Sequence, residues 1–173
     1  PRIAGLPVGD GAHFEAIEER MASTVMLPLR NAEDLQLQHY AKGGHYVLHT
    51  DYLSGAHMRE NQGNRIATFL LFLNTVDNGG ETIFPLAEHS RGKSTFWSTE
   101  PWLAVPEVKQ VGGMGGLQRL AAVCADQEVL KIKPVRGNAL LFYPALPNGT
   151  EDWRATHGSC PSSGEKWVAQ LWF

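Results

Sequence analysis

The sequence has few of the features that mark membrane, nucleic-acid-binding or disulfide-rich proteins. Its 173 residues include only two cysteines, and its 15 lysines and arginines are outnumbered by 18 acidic residues, for a net charge of −3. This charge argues against a basic surface for nucleic acid or an anionic membrane. The longest apolar stretch, residues 66–73, is too short to span a bilayer. We therefore expect no nucleic-acid partner and no membrane span.

What remains is the composition of an ordinary globular domain. Hydrophobic residues make up 43% of the chain and charged residues 19%, and 173 residues suffice for one real core. We expect a single domain over residues 1–173. The sequence begins at Pro1 rather than Met, so we expect it to be a piece of a longer protein whose targeting segment lies outside it.

The hydrophobic pattern predicts one helix followed by many short strands. Residues 1–12 are predicted to form a loose arm, and apolar residues at helical spacing predict a helix from His13 to about Thr24. The polar residues 55–63 are predicted to form a loop. Strands are predicted at 35–40, 46–53, 65–75, 81–84, 129–133, 139–143, 155–158 and 167–173. Short strands separated by Gly and Pro are typical of a mainly β core.

The regular pattern stops between about residues 86 and 125. This segment holds Pro101, Pro106 and a glycine-rich run at 112–116, and it predicts a short helix at 117–123. We interpret it as a variable insertion. It is either a lid or, as the general tolerance of loops to insertion favours, surface decoration.

The first candidate for chemistry is the pair His49-x-Asp51. Residues two apart on a strand point to the same face, so an imidazole and a carboxylate are predicted to project together. They could supply two ligands of the 2-His-1-carboxylate triad that binds non-haem Fe(II). His157, 106 residues after Asp51, could supply the missing imidazole. Taken alone, an H-x-D pair is more simply explained as a structural contact.

The end of the chain carries a lysine in an apolar strand. Lys166, Val168, Gln170 and Trp172 are predicted to share one face of this strand. A lysine in such a setting is costly to bury unless an anion meets it. We expect that anion to be a carboxylate of a bound ligand; the alternative is a lysine whose amine reaches solvent.

With these residues assembled, the sequence resembles the prolyl 4-hydroxylase family of Fe(II)/2-oxoglutarate dioxygenases, in its collagen-type and plant or algal branch. The resemblance covers about residues 15–85 and 124–173. Its blocks, in family order, are Q-x₃-Y-x₂-G-x₂-Y-x₂-H-x-D-Y at 36–52, R-x-A-T-F-L-x-F-L-N at 65–74, G-G-E-T-x-F-P at 79–85, P-x₂-G-N-A-L-L-F at 134–142 and H-G-x-C-P-x₂-G-x-K-W at 157–167. Ordered blocks are far more specific than any one motif.

The resemblance implies a fold, a metal and an activity. The fold would be mainly β, a double-stranded β-helix (jelly roll) with the N-terminal helix packed on it. His49, Asp51 and His157 would bind Fe(II), with 2-oxoglutarate and O₂ as co-substrates and ascorbate as a further cofactor. The implied reaction is hydroxylation of peptidyl proline to 4-hydroxyproline in Pro-rich or collagen-like chains. The alternatives are a hydroxylase of another protein or amino acid, and a non-catalytic jelly-roll binding module.

The resemblance also assigns residues to the organic ligands. Lys166 matches the basic residue that pairs with the distal carboxylate of 2-oxoglutarate, and it joins the metal ligands as a catalytic residue. Tyr40, Thr68 and Gln170 are expected near the co-substrate. The positions associated with peptide binding are Tyr46, Trp172, Arg65 and Glu33.

Three details do not fit the family pattern or the predicted strand. Phe72 stands where many members have Tyr, so a hydroxyl to the co-substrate is lost. Gln170 stands where many have Thr and could replace that hydrogen bond. Strict alternation from His49 places Tyr46 on the opposite face. Contact between Tyr46 and substrate therefore requires the strand to bend or begin after Tyr46.

The cysteines and a sequon bear on the cellular compartment. Taken alone, Cys124 and Cys160 are most simply explained as two small buried thiols, the explanation that a cytosolic protein would favour. The resemblance instead implies a disulfide between them, and with it the lumen of the endoplasmic reticulum or Golgi. Asn148-Gly149-Thr150 is a glycosylation sequon in a turn-like stretch. Such tripeptides are frequent by chance, and this one adds little on its own.

Overall fold

The fold is built from short strands with helices between them, as seen in the computed structural model of the chain. The structure describes residues 1–7, 9, 11–61, 63–87 and 114–173. In chain order the elements are β1 (Arg2–Leu6), α1 (Ala12–Val25), β2 (Leu35–Tyr40), β3 (Tyr46–His49), α2 (Ala56–Glu60), β4 (Thr68–Phe72), β5 (Thr82–Phe84), α3 (Met114–Ala125), β6 (Leu130–Ile132), β7 (Ala139–Phe142), β8 (His157–Ser159) and β9 (Lys166–Trp172).

The strands form two antiparallel sheets that pack on each other. One sheet has the order β1-β2-β9-β4-β7 and the other β3-β8-β5-β6. A single apolar cluster joins them, with Tyr40, Phe72 and Val168 from the first sheet and Phe84 from the second. Two antiparallel sheets with a shared core confirm the predicted mainly β class.

Helix α1 covers the outer face of the five-stranded sheet. Its apolar stripe, which includes Met21 and Val25, packs against Phe69 on β4 and Leu171 on β9. Strand β9 is therefore buried on both faces, which explains why its sequence is almost continuously apolar. The predicted helix from His13 to about Thr24 is confirmed, with a helix packed on the β core as expected.

Helix α3 covers the four-stranded sheet. Leu120 and Val123 are fully buried against Leu48 and Ile83, and a disulfide joins Cys124 to Cys160. The helix predicted at 117–123 is confirmed and is longer than expected. This end of the predicted insertion belongs to the core. Residues 88–113, which make up most of the segment interpreted as a lid or as surface decoration, lie outside the described residues.

Three local predictions were wrong. The loose arm predicted for residues 1–12 contains β1, which pairs antiparallel with β2 from Arg2↔His39 to Leu6↔Leu35 and so covers an otherwise open sheet edge. The loop predicted at 55–63 contains α2. The strand predicted at 155–158 begins at His157, because residues 153–155 form a 3₁₀ turn capped by Asp152. The remaining strands differ from prediction mainly in their ends.

None of the helices in the described ranges is long and apolar enough to cross a membrane.

Candidate active site

An irregularity in strand β3 shapes the site. Strand β3 pairs with β8 through Tyr46↔Ser159 and His49↔His157, and the register shifts between these pairs. The shift brings the Tyr46 ring within 4.2 Å of the His49 ring, between centroids. Simple alternation had placed Tyr46 on the opposite face. The bulge meets the condition under which Tyr46 can reach a ligand.

Three buried side chains converge beside this bulge. The ligand atoms of His49, Asp51 and His157 all lie within 4.8 Å of one another. The Nε2 atom of each histidine is 3.7 Å from an Asp51 carboxylate oxygen. Strand β3 ends at His49, so the expectation that one strand carries both His49 and Asp51 was wrong. Asp51 instead reaches the cluster from the segment that follows the strand.

Both imidazoles are oriented by the backbone two residues before them. His49 Nδ1 lies 2.8 Å from the Val47 carbonyl oxygen, and His157 Nδ1 lies 2.9 Å from that of Ala155. A carbonyl oxygen can only accept, so each Nδ1 carries the proton and each Nε2 offers its lone pair toward Asp51. Burial, together with His157, lowers the pKa of His49 to about 4, so this imidazole is neutral at pH 7.

Asp51 is held as a carboxylate. Burial on its own raises the pKa of Asp51, but the imidazoles of His157 and His49 and the Thr68 hydroxyl outweigh it and bring the pKa below its usual value. Thr68 Oγ1 donates to Asp51 Oδ2 over 2.7 Å. Thr68, which was expected beside the co-substrate, therefore lies against Asp51. A buried carboxylate that lies between two imidazole nitrogens calls for a cation, and this donor set fits Fe(II).

A second group of polar side chains begins at Lys166. The lysine is only 1% exposed, and its Nζ donates to the Ser159 hydroxyl and, over 3.0 Å, to the Gly80 carbonyl. It also lies 4.2 Å from the centre of the Tyr40 ring. Burial lowers the pKa of Lys166 to about 7, against a smaller opposite effect of Glu81. The structure thus buries the lysine as predicted, with neutral partners.

Gly79 and Gly80 form the turn that meets this lysine. Both have positive φ, at 73° and 74°, which side-chain-bearing residues rarely adopt. A Cβ on Gly79 would lie 2.1 Å from the Pro161 carbonyl oxygen. The Gly-Gly pair thus allows the close approach that aims the Gly80 carbonyl at Lys166.

A chain of hydrogen bonds runs along the floor of the same cleft. The Tyr40 hydroxyl donates to Gln38 Oε1 over 2.9 Å, and Gln38 Nε2 donates to Gln170 Oε1 over 2.5 Å. Burial raises the pKa of Tyr40, so its hydroxyl keeps the proton that it donates. Since Gln170 accepts through its oxygen, its Nε2–H groups remain for a ligand beside Lys166. Tyr40, Gln170 and Lys166 all line this small cleft.

Sequence reasoning missed Gln38, Ser159 and Thr82, which also line the cleft. A signal existed for two of them. Gln38 lies two residues before Tyr40 on β2, and Ser159 two residues after His157 on β8, so each shares a strand face with a predicted site residue. Thr82 could not be predicted from the sequence, because it reaches the cleft through the pairing of β5 with β8, in which it lies opposite Ser159.

His49, Asp51 and His157 are called the metal cluster below. An open cleft of about 430 Å³ lies next to this cluster. Tyr46, Trp172 and Arg65 line it together with His49 and Asp51. Three of the four residues predicted to bind peptide are thus brought together next to the cluster.

The fourth, Glu33, acts on Arg65. Its carboxylate oxygens accept from Arg65 Nε and Nη2 over 2.7 and 2.8 Å, which holds the guanidinium 3.6 Å from the centre of the Trp172 ring. Glu33 itself is absent from the cleft lining. Its contact with Arg65 makes it a positioning residue.

Comparison with known proteins agrees with this geometry. A sequence model of the 2OG-Fe(II) oxygenase superfamily matches residues 35–173. Probable prolyl 4-hydroxylase 7 of Arabidopsis thaliana is 37% identical over 157 residues, which are 90% of this chain and 42% of the relative. Prolyl 4-hydroxylase 5 of the same plant is 34% identical over 160 residues, 92% and 47% of the respective lengths. The chain spans less than half the length of these curated relatives.

The fold also has a counterpart among solved structures. A viral collagen prolyl hydroxylase from Paramecium Bursaria Chlorella virus-1, solved with 2OG, aligns with a TM-score of 0.64. The alignment covers 99% of this chain and 77% of that chain at 21% sequence identity. At this identity the likeness shows a shared fold, in agreement with the predicted jelly-roll architecture.

Proposed function

The chain belongs to the 2OG-Fe(II) oxygenase superfamily, and from this premise we propose that it hydroxylates peptidyl proline to 4-hydroxyproline using Fe(II), 2-oxoglutarate and O₂. The observation that carries the proposal is the buried cluster of His49, Asp51 and His157 beside the equally buried Lys166. Burying a carboxylate and a lysine costs free energy, and a domain that only binds a peptide would gain nothing from burying them. We assign residues 1–173 to one catalytic domain, with an insertion at about 86–125.

The metal cluster would hold Fe(II) through Nε2 of both histidines and the Asp51 carboxylate. Fe(II) bound there supplies, with 2-oxoglutarate and O₂, the oxidising chemistry that no side chain provides. The protein contributes the fixed tautomers, the ionised carboxylate and the hydrogen bond from Thr68. Three protein ligands leave positions open for co-substrates.

The small cleft would bind 2-oxoglutarate. The hydrogen-bond partners of Lys166 are a hydroxyl and a carbonyl, so the distal carboxylate of a diacid would hold the lysine in its charged form. The Nε2–H groups of Gln170 would donate to the same carboxylate, in place of the hydroxyl that many family members have. A monoacid would leave the buried lysine unpaired, so this cleft selects for a diacid.

The open cleft would bind the proline-containing peptide. Tyr46 and Trp172 offer aromatic surfaces beside the metal cluster, and proline-rich chains in the polyproline II conformation lose little entropy on docking to such surfaces. The relatives are named prolyl 4-hydroxylases, which supports proline over other targets. Arg65, held by Glu33, would contact the peptide backbone.

We further propose that the protein works in the lumen of the secretory pathway with ascorbate as a reductant for the iron. The Cys124–Cys160 disulfide supports this location because such bonds persist in oxidising compartments.

The proposal is tested by measuring 2-oxoglutarate turnover with Fe(II) and ascorbate, with and without a (Pro-Pro-Gly)-type peptide. We expect peptide-stimulated turnover and a peptide product one oxygen atom heavier by mass spectrometry. His49→Ala should abolish both. His45→Ala is the matched control, since His45 lies in the same segment but outside the metal cluster, and it should retain turnover.

Two outcomes would redirect the proposal. Turnover that the peptide does not stimulate would keep the oxygenase and point to another protein or amino-acid substrate. Absence of turnover by a folded, iron-loaded protein would favour the non-catalytic binding module.

A further inference from the structure

We propose that Asn148 carries an N-linked glycan at the rim of the open cleft. The sequon Asn148-Gly149-Thr150 lies between β7 and β8, and its three residues are exposed. The proposed hydroxylation makes no use of this sequon, and the inference does not depend on that activity. It depends on the passage of the chain through a compartment that holds an oligosaccharide transferase.

The sequon already has the conformation that presents its nitrogen. Asn148 Oδ1 accepts from the Thr150 amide over 3.1 Å and from the Thr150 hydroxyl over 2.7 Å. Both bonds engage the oxygen of the side-chain amide, as in an Asx turn. Across the described residues, the structure shows no acceptor for Asn148 Nδ2. The reactive nitrogen therefore faces solvent, while the hydroxyl that defines the sequon is bonded to the amide group.

This conformation is set by short-range contacts. Leu146 N–H donates to the Thr150 carbonyl over 2.7 Å, and Gly149 N–H donates to the Leu146 carbonyl over 2.8 Å. Gly149 has a φ of 81°, which glycine adopts without strain. Since the partners in these four hydrogen bonds lie within four residues of one another along the chain, the turn can form before the domain folds. A nascent chain could thus offer it to a transferase.

The disulfide supplies independent support. Cys124 and Cys160 are bonded to each other, and none of the described cysteines is free. Structural disulfides form in the secretory lumen, which is also where asparagine glycosylation takes place. An exposed sequon and an oxidised cysteine pair therefore indicate the same route through the cell.

The modification transfers an oligosaccharide from a lipid carrier to the Asn148 side chain. The co-reactant is an oligosaccharide linked through a diphosphate to a polyprenyl lipid. A bond forms between Asn148 Nδ2 and the first sugar carbon, and the bond from that carbon to the diphosphate oxygen breaks. The lipid diphosphate leaves, and the amide nitrogen loses one proton. No oxidant or reductant takes part.

The glycan would stand next to the entrance for peptide. The Tyr52 hydroxyl donates to the Gly149 carbonyl over 2.8 Å, and Tyr52 lines the open cleft. Asn148 itself is not part of the lining. The attached sugar would therefore border the cleft without filling it.

The test is expression of the chain behind a signal peptide in a eukaryotic secretory host, with a second, efficient sequon appended in a C-terminal tag. Molecules whose tag is glycosylated have met the transferase, and lectin capture of the tag selects them. Peptides containing position 148 are then treated with peptide-N-glycosidase in heavy-oxygen water, which converts a glycosylated asparagine to aspartate that carries the heavy isotope, and an untreated sample corrects for spontaneous deamidation of Asn148-Gly149. We expect this conversion at Asn148 in most captured molecules.

Matched variants test whether the modification depends on the sequon. Asn148→Gln and Thr150→Val should remove the modification, whereas Thr150→Ser, which keeps the hydroxyl, should retain it. Captured molecules with tag glycans and an unmodified Asn148 would overturn the proposal. So would conversion at position 148 that persists in Thr150→Val.

Discussion

The metal cluster and the small cleft around Lys166 lie side by side, but their side chains are held in place in different ways. Each histidine of the cluster is oriented by a carbonyl two residues earlier in its own segment. In the cleft, Gln38 and Gln170 are 132 residues apart, and Lys166 is 86 residues from the Gly80 carbonyl that it meets. The orientation of each cluster histidine thus relies on local backbone geometry, although the pairing of β3 with β8 brings the two together, whereas the contacts inside the cleft rely on the register of distant strands.

The difference explains where this chain departs from its family. His49, Asp51 and His157 match the family resemblance, while Phe72 and Gln170 are the two positions that depart from it beside the expected co-substrate. A cleft built from several partners can exchange one donor for another, as the bond from Gln38 to Gln170 illustrates. The two regions should therefore respond separately to mutation.

The largest expected effect is on the metal cluster. Asp51→Asn keeps the shape of the side chain but removes the negative charge between the imidazoles. We expect Mn(II) affinity to fall by more than about 100-fold, because loss of an outer partner alone costs about 10- to 100-fold. Titration followed by electron paramagnetic resonance measures it. Asp77→Asn, at an exposed position, is the control, and equal effects in both variants would contradict the assignment.

Lys166→Met should affect the cleft alone. The hydrogen bonds of a charged group contribute about 1.5–3 kcal/mol, so 2-oxoglutarate affinity should fall by roughly 10- to 150-fold. Anaerobic titration of the Fe(II)-loaded protein measures this affinity. Mn(II) affinity should not change, and the ligand-free protein should unfold at a higher temperature because a buried charge is gone. Lys42→Met, at an exposed position, is the control. A matching loss of Mn(II) affinity would refute the separation.

The pH dependence of the cleft follows from the pKa of Lys166, about 7 in the folded protein against an ordinary 10.5. Between these values the unfolded chain binds the proton and the folded chain does not, so the stability of the ligand-free protein should increase with pH. The affinity for 2-oxoglutarate should decrease above pH 7, by up to about tenfold per unit. Chemical unfolding and ligand titration across pH check both trends. In Lys166→Met this contribution should vanish.

Thr68→Val should weaken the metal cluster moderately. The variant removes the hydrogen bond to Asp51 with little change of volume. We expect Mn(II) affinity to fall about tenfold, as for other outer partners of metal ligands, with little effect on 2-oxoglutarate binding to the loaded protein. Thr24→Val, on the exposed face of α1, is the control. A larger loss of 2-oxoglutarate than of metal would show that Thr68 belongs to the cleft.

The smallest effect is expected from Gln38. Gln38→Leu frees Gln170 and Tyr40 and should weaken 2-oxoglutarate binding by roughly 5- to 10-fold, the worth of about one hydrogen bond. Gln38→Glu should be at least as harmful, because a carboxylate accepts from both neighbours and turns the Gln170 oxygen toward the ligand. Mn(II) affinity should stay constant in both. Identical affinities for wild type and Gln38→Glu would contradict the proposed direction of the hydrogen-bond chain.

The same distinction between local and distant contacts decides what the sequence could predict. His49, Asp51 and His157 were found because their spacing and family blocks are visible along the chain, and Lys166 because a lysine interrupts an apolar strand. Gln38 was missed since its partner lies on the last strand. Glu33 and Thr68 were recognised, but their contacts with Arg65 and Asp51 could not be read from spacing.

Two features of the fold were beyond sequence reasoning for similar causes. Strand β1 has Gly and weak alternation, and it forms because the edge of β2 offers hydrogen-bond partners. The bulge that turns Tyr46 toward His49 arises from the pairing of β3 with β8. Neither the strand nor the bulge can be predicted from the residue types of its own segment.

The disulfide makes the stretch from Cys124 to Cys160 a covalent ring, closed by cysteines 36 residues apart. Such a closure lowers the entropy of the unfolded chain by an amount worth about 4 kcal/mol. Strands β6 and β7 and the ligand His157 lie inside the ring. A protease that cuts one peptide bond there leaves both pieces of the chain joined. Strand β9, with Lys166 and Trp172, would stay attached to the rest of the domain after such a cut.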